Sequence, residues 1–365
     1  MSGKNKSRKR LLSIMQYLAD NVENGERIDI EKIISYLNDD EFSHEPIIRE
    51  DLKVLAEMKK GVIYESRGSS RNKHFYYDRL ITDGELMLIF NIICSACYLT
   101  KDKAIELIQH LCNAMSVSKF NELDMETDIA LRNKTFNDRC IENIEVISEA
   151  ISKGKKISFS YAGYDEEGRY WYLLNVRGNK YEKVMVETKE HISSEYIEDH
   201  IYTVSPCKIV WDNSQCYLIC IISDGNSRTI KNFRADKIYE ISMEAEDSDR
   251  FDTSSDFYDP DRGIFDAEKY LRSIFEMFIS KNARLTEVTF VVKKRLIGAM
   301  YDKFGPNIKP AEYDDTHFIF KAQIQEAPTF YSWAAKYTPQ ELRILAPDEI
   351  VVNYREHLKR ILEAY

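Results

Sequence analysis

The sequence predicts a multidomain α+β protein: a winged helix-turn-helix, a helical connector, a sheet-rich middle domain and a C-terminal ferredoxin-like unit. Three observations predict it. Residues 11–61 carry three short stretches with apolar residues at helical spacing, followed at once by two alternating stretches around a basic loop. Residues 155–243 are rich in period-two alternation, and residues 285–365 order themselves as strand, helix, two strands, helix, strand and a last helix. The expected domains are 1–80, 81–135, 136–245, a linker with a helix at 246–284, and 285–365.

A chain of 365 residues with 44% hydrophobic and 31% charged residues has globular balance, enough for about two to four domains. Its net charge of −10 argues against a protein coated in nucleic acid, but local asymmetry runs the other way. The first ten residues, MSGKNKSRKR, hold Lys4, Lys6, Arg8, Lys9 and Arg10 with no acid and no apolar run. That composition is no signal peptide and reads either as a solvated tail or as a phosphate-contacting arm. No run of about 18 apolar residues occurs, and seven cysteines without a secretory signal suit a reducing compartment. A soluble, cytoplasmic protein is expected.

The first helix starts with Leu11, Leu12, Met15 and Leu18; the turn NVENGER and a second helix around EKIISYL follow. In FSHEPIIREDLKVLAEMKKG, Ser43 can cap a third helix, Pro46 suits its first turn, Ile48, Leu52 and Leu55 form its apolar stripe, and Gly61 ends it. His44, Arg49 and Lys53 then lie off that stripe, on a face able to enter a major groove. VIYESRGSSRNKHFYYD reads as a hairpin whose loop holds Arg67, Arg71 and Lys73, the wing. Residues 1–80 hold 15 Lys+Arg against 14 Asp+Glu, yet the acids gather around the second helix and the bases in the arm, third helix and wing. The expected DNA contacts are His44, Arg49, Lys53, Arg67, Arg71 and Lys73, with Arg8, Lys9 and Arg10.

Residues 82–116 read as two amphipathic helices parted near Thr100, a connector or dimer surface. A helix around CIENIEVISEAISKG leads into the strand KISFSYAGYD, and the acidic stretch MEAEDSDRFDTSSDFYDPDRG reads as a linker before a helix near AEKYLRSIFEMF. Enzymatic chemistry finds no support. Cys94 and Cys97 form a CxxC inside an apolar helical pattern, which reads as buried thiols, and no Gly-rich phosphate loop, G-x-S-x-G or paired histidines occur. No catalytic residue, metal or cofactor is expected.

Residues 201–237, YTVSPCKIVWDNSQCYLICIISDGNSRTIKNFRADKI, set Arg228, Lys231, Arg234 and Lys237 close together after a stretch nearly free of positive charge. Alternation puts Arg228, Ile230, Asn232 and Arg234 on one strand face and Thr229, Lys231 and Phe233 on the other. The chain resembles the WYL-domain family of bacterial transcriptional regulators. The resemblance is carried by Ser205-Pro206, Tyr217-Leu218, Arg228, and Phe233-Arg234 with Asp236-Lys237-Ile238. It extends to REDLKVL in the third helix, GELMLIF after the wing, IEVISEAISKGKKISFSY, and Phe304-Gly305 with Trp333, and so covers nearly the whole chain. Two positions depart from the pattern. The namesake Trp-Tyr-Leu stands here as Cys216-Tyr217-Leu218, with Cys216 a smaller core residue, and Glu50 stands before Asp51 where a base is frequent.

The resemblance implies that the middle domain is an Sm-like barrel sensing a nucleotide or nucleic-acid fragment, in a regulator that binds double-stranded DNA as a homodimer. Ser205, Tyr217, Arg228, Arg234 and Lys237 are the ligand residues it implies, since Arg offers a fork matched to phosphate and Tyr a ring for a base. Replacing Arg234 with Ala is expected to abolish the effector response and leave the fold intact. The alternative is an accessory protein that holds single-stranded nucleic acid and regulates no gene; an enzyme acting on nucleotides is a third class.

Overall fold

The computed structural model describes residues 3–37, 44–68, 72–79, 81–114, 134–177, 180–194, 200–224, 227–249, 255–279 and 284–365. The chain is mixed α+β and divides into two compact units, 1–135 and 136–365. Among the described residues no helix is long and apolar enough to cross a membrane.

In the first unit the basic N-terminal stretch is helix: α1 runs from Gly3 to Asn21. Helices α2 (Ile30–Leu37) and α3 (Glu45–Glu57) follow, then β1 (Val62–Glu65) and β2 (His74–Tyr77). One core joins them. Ile14 and Leu18 of α1, Ile33 of α2, and Ile48, Leu52 and Leu55 of α3 pack with Val62 and Phe75 of the hairpin, so the stripe read on α3 is its buried face, whereas on α1 the core side is Ile14, Tyr17 and Leu18, and Leu12 of the expected stripe is 65% exposed. The N-cap of α3 is His44, which makes no side-chain cap hydrogen bond; Ser43 lies outside the described residues. Strands β1 and β2 pair antiparallel from Val62↔Tyr77 to Glu65↔His74. The NVENGER turn gives the hairpin a third edge that alternation does not reveal: Gly25 N donates to Tyr77 O at 2.6 Å and Ile28 N to Phe75 O at 2.9 Å.

Helices α4 (Asp83–Ser95) and α5 (Lys101–Ala114) form the connector, and a Thr82–Glu85 capping box starts α4. Cys94 is buried near the end of α4. There the Lys134 ammonium donates to the carbonyls of Ile93, Cys94 and Ala96 at 3.4, 2.8 and 2.8 Å, closing the helix C-terminus with a cation.

The second unit opens with α6 (Cys140–Lys153), which ends at Gly154 in the left-handed conformation, φ 62°. Five strands follow it: β3 (Lys155–Tyr161), β8 (Ile201–Asp212), β9 (Gln215–Asp224), β10 (Ser227–Arg234) and β11 (Ile238–Asp247), in the spatial order β10-β9-β8-β3-β11. Among the described residues this sheet is open, its edge strands β10 and β11 unpaired with one another, where the family resemblance implies a small Sm-like barrel. Ile147 and Ala150 of α6 cover Ile157, Phe159, Val204, Leu218 and Phe233 on one face. Between β3 and β8 the chain inserts a second sheet, β4 (Gly163–Tyr164), β5 (Tyr170–Arg177), β6 (Lys180–Met185) and β7 (His191–Ser194), paired in sequence order.

The acidic stretch is only partly a linker. Met243 to Asp247 continue β11, where Met243 pairs with Ile157 and Asp247 with Lys155. The small hairpin β12 (Tyr258–Asp259) and β13 (Ile264–Phe265) and helix α7 (Ala267–Ser273) then fold back onto the sheet. Last come β14 (Leu285–Lys293), α8 (Ile297–Phe304), β15 (Ala311–Asp314), β16 (His317–Gln325), α9 (Pro328–Ala334), β17 (Leu342–Ala346) and α10 (Asp348–Glu363). The antiparallel order β15-β16-β14-β17 is that of a split βαβ unit. Val288, Phe290 and Val292 of β14 meet Phe320, Ala322 and Ile324 of β16 beneath Met300, Phe304 and Phe330.

Candidate nucleic-acid interface and anion site

On α3 the buried stripe sends Arg49 and Lys53 to the exposed side. Each is held by a carboxylate of its own helix: Arg49 Nε donates to Glu45 Oε1 at 2.8 Å, and Lys53 Nζ to Glu50 Oε2 at 3.4 Å. Pairs this exposed contribute only about 0.3–0.5 kcal/mol, so a phosphate can displace the carboxylate. The helix as a whole carries Glu45, Glu50, Asp51 and Glu57 against Arg49 and Lys53. Its positive charge is therefore confined to one stripe. His44 is exposed at the start of the same helix.

The wing is stiffened by its own bases. Arg67 Nε donates to Glu65 Oε1 at 2.5 Å, one of its Nη groups donates to Gly25 O at 3.1 Å, and the guanidinium lies 4.0 Å from the Tyr76 ring centroid. Lys73 Nζ lies 5.7 Å from the Tyr64 ring, itself stacked on Phe75. Arg71 lies outside the described residues.

The arm residues separate. Arg8 and Lys9 are exposed on α1, whereas Arg10 forms a 2.6 Å ion pair with Asp51 of α3, the two side chains 10% and 16% exposed. Arg10 thus fastens α1 to α3. Arg10→Ala is expected to lower stability by about 1–3 kcal/mol in urea denaturation, against less than about 0.5 kcal/mol for Arg8→Ala.

In the second unit, β10 ends in a one-turn 3-10 helix, Ala235–Lys237. Buried Asn137 and Asn143 at the start of α6 hold that turn: both donate to Ile238 O, at 2.8 and 2.7 Å, and Asn137 also reaches Asp236 O at 3.1 Å. The turn buries Asp236 against Arg234, which donates through Nε at 3.0 Å to one carboxylate oxygen and through Nη2 at 2.7 Å to the other. Nη2 also reaches Gln215 Oε1 at 3.1 Å, and Tyr161 Oη accepts from Arg234 N at 3.2 Å. Burial pushes the Tyr161 phenol up to about 12. The bond to Asp236 raises the Arg234 guanidinium further. Arg234 is thereby a structural partner of a buried carboxylate, and its removal cannot leave the fold untouched.

Lys237 is half-buried with Nζ 5.7 Å from the Tyr164 ring; burial, and then Arg234, lowers its ammonium. Arg228 is exposed at the far end of β10, about 20 Å of extended strand from Arg234. The face between them is covered. Ile230 packs into a cluster with Phe257 and Tyr270, and Asn232 donates to Met277 O at 2.8 Å and accepts from Tyr270 Oη at 2.9 Å. The opposite face carries Lys231, exposed, with Nζ 5.3 Å from the Tyr202 ring. Neither aromatic–cation pair stands out in the sequence, because Tyr164 and Tyr202 lie far from their lysines along the chain.

Ser205 is buried beside a bulge at Cys207, donating to Asp249 Oδ2 at 3.2 Å and accepting from Asp249 N at 2.9 Å. It fixes the start of the acidic stretch. Tyr217 is half-buried and pairs across the ladder with Arg234. Cys216 is fully buried, as a smaller core residue should be, and burial drives its thiol up to about 12. Among the described residues no group of histidines, cysteines and carboxylates could hold a metal ion.

No protein-family model matches the chain, and no curated protein matches it. Among solved structures it is similar to proteasome accessory factor B/C (PafBC) of Arthrobacter aurescens, at 13% identity over 94% of this chain and 45% of that one, with a TM-score of 0.23. It is similar also to a CRISPR Cas-related protein, at 13% identity over 99% of this chain and 84% of that one, with a TM-score of 0.31. The chain spans less than half the length of the first.

Proposed function

We propose that this chain is a DNA-binding transcriptional regulator of the WYL-domain kind, reading duplex DNA with α3 and the wing. The observation that carries the reading is the combination in one unit of a three-helix core, a braced hairpin and basic side chains on the outer surface of both: Arg49 and Lys53 on α3 with His44 at its N-cap, Arg67 and Lys73 on the wing. Arg8 and Lys9, exposed in the second turn of α1, add a second patch that favours phosphate. The sheet order β10-β9-β8-β3-β11 behind α6, with Ser205-Pro206, Tyr217-Leu218 and Asp236 at structural positions within it, supports the family resemblance and an Sm-like middle domain.

An effector that touches both Arg228 and Lys237 has to be extended. The span along β10 favours a nucleic-acid fragment of several nucleotides over a single nucleotide. A homodimer on a two-fold operator is the arrangement that such a regulator adopts. Fluorescence anisotropy with labelled duplex and single strands of one sequence tests the reading at 50–200 mM salt, the range over which phosphate contacts show a steep slope. Duplex preference is the expected result; preference for the single strand would overturn it.

One observation favours the single-strand reading. Tyr164, 59% exposed, presents its ring beside Lys237, a pairing suited to a stacked base next to a phosphate.

A further inference from the structure

A cavity of about 290 Å³ opens between the tip of the β8–β9 hairpin, the turn after α7, and helices α8 and α9. Both turns are built to project side chains into it. Asn213 and Ser214, which join β8 to β9, have φ of 47° and 64°, and Glu276 and Met277, between Phe275 and Phe278, have 53° and 54°. Two successive positive φ angles give the mirror-image turn that matches strand twist with only two residues. The first turn places Trp211 at the mouth, 52% exposed, and the second places Phe275 within 5.1 Å of the Trp333 ring. Three aromatic rings therefore line one small space.

Lys303 of α8 brings a charge into that space. Its ammonium donates to Ile274 O and lies 4.1 Å from the Phe275 ring centroid. Among the described residues no carboxylate forms an ion pair with it; Asp212 acts on it only from beyond pairing distance, and burial depresses the ammonium to about 8. A half-buried cation held by one carbonyl and one ring is incompletely compensated, so an anion entering the cavity gains a charge partner. The rest of the lining limits what that anion can be. Asp212 and Glu276 face the cavity too, Glu276 with Lys336 at 3.7 Å, and the four charged side chains sum to zero. A monoanion matches the one ammonium left over, that of Lys303, whereas the second charge of a dianionic phosphate finds no cation to pair with, since Lys336 is taken by Glu276. The volume falls at the small end of the range for ligand sites, about 300–1,000 Å³, which suits one or two fused rings.

We infer that this cavity binds a small planar aromatic carboxylate, its ring against Trp211, Phe275 and Trp333 and its carboxylate on Lys303 Nζ. The site lies apart from Arg228 and Lys237 and does not depend on the DNA-binding reading.

Calorimetric titration of the full chain tests it, with benzoate and indole-3-carboxylate as probes and cyclohexanecarboxylate, indole, inorganic phosphate and a nucleoside monophosphate as comparisons. The expected result is saturable one-to-one binding of the two planar carboxylates, weakened at least about tenfold by Lys303→Met and by Trp211→Ala, and unchanged by Lys231→Ala outside the cavity. Trp211 is exposed at a hairpin tip, so its variant reads the site even where Lys303→Met fails to fold. Absence of carboxylate binding at millimolar concentration overturns the inference, as does equal binding of cyclohexanecarboxylate, tighter binding of the nucleoside monophosphate, or retention of affinity in Trp211→Ala.

Discussion

Arg234→Ala is expected to destabilise the second unit by about 3–5 kcal/mol, the loss that follows when one partner of a buried pair is removed and a charge stays behind. The side chains are unequally buried: that of Arg234 is 34% exposed and that of Asp236 only 5%. Removing the arginine strands the carboxylate among Cys140, Cys216 and the phenol of Tyr161, with Lys237 acting on it only from beyond pairing distance. Removing Asp236 instead leaves a guanidinium that can turn toward water and keep Gln215, so Asp236→Ala is expected to cost less, about 1–3 kcal/mol. The double variant Arg234→Met with Asp236→Leu should recover most of the loss, since a well-packed apolar pair replaces an ion pair at little cost. Urea denaturation of the three variants measures the order. A loss below about 0.5 kcal/mol in Arg234→Ala would contradict the assignment of Arg234 to structure.

Arg49→Ala combined with Lys53→Ala is expected to weaken duplex binding about 100-fold, taking each lost contact at about 1.4 kcal/mol, and to reduce the salt slope by about two. The fold should be indifferent to the change. Both side chains are exposed, and their only ion pairs on α3 are with the exposed Glu45 and Glu50. Circular dichroism and the urea midpoint should match the parent protein. Glu50→Lys is expected to act in the opposite direction, because it removes the partner of Lys53 and adds a cation to the same surface.

The contrast between these two arginines marks how much the sequence discloses. The stripe Ile48, Leu52, Leu55 is a local, periodic signal, so it located α3 and put Arg49 outside; the order of helices and strands from 285 to 365 is legible for the same reason. Alternation likewise put Arg228 and Arg234 on one face of β10. What covers that face depends on a segment that returns from residues 257–279, and no local period encodes a return. The acidic composition of MEAEDSDRFD hid its first half as strand because Lys155 and Lys156, about 90 residues earlier, neutralise it. Asp236 is read as a neighbour of Lys237 in the sequence, but the 3-10 turn bends it back onto Arg234. The inserted sheet β4–β7 was folded into an undivided sheet-rich middle, since alternation reveals strands and not which of them pair.

On this reading, α3 and the wing recognise duplex DNA. Selection of duplex fragments of the source genome by the purified full chain at near-physiological salt tests it most directly, with the Arg49→Ala, Lys53→Ala variant selected in parallel. Enrichment of one or a few promoter sites by the parent chain, lost in the variant, is the expected result. Enrichment that the variant retains in full would contradict the claim and turn attention to the cations of β10.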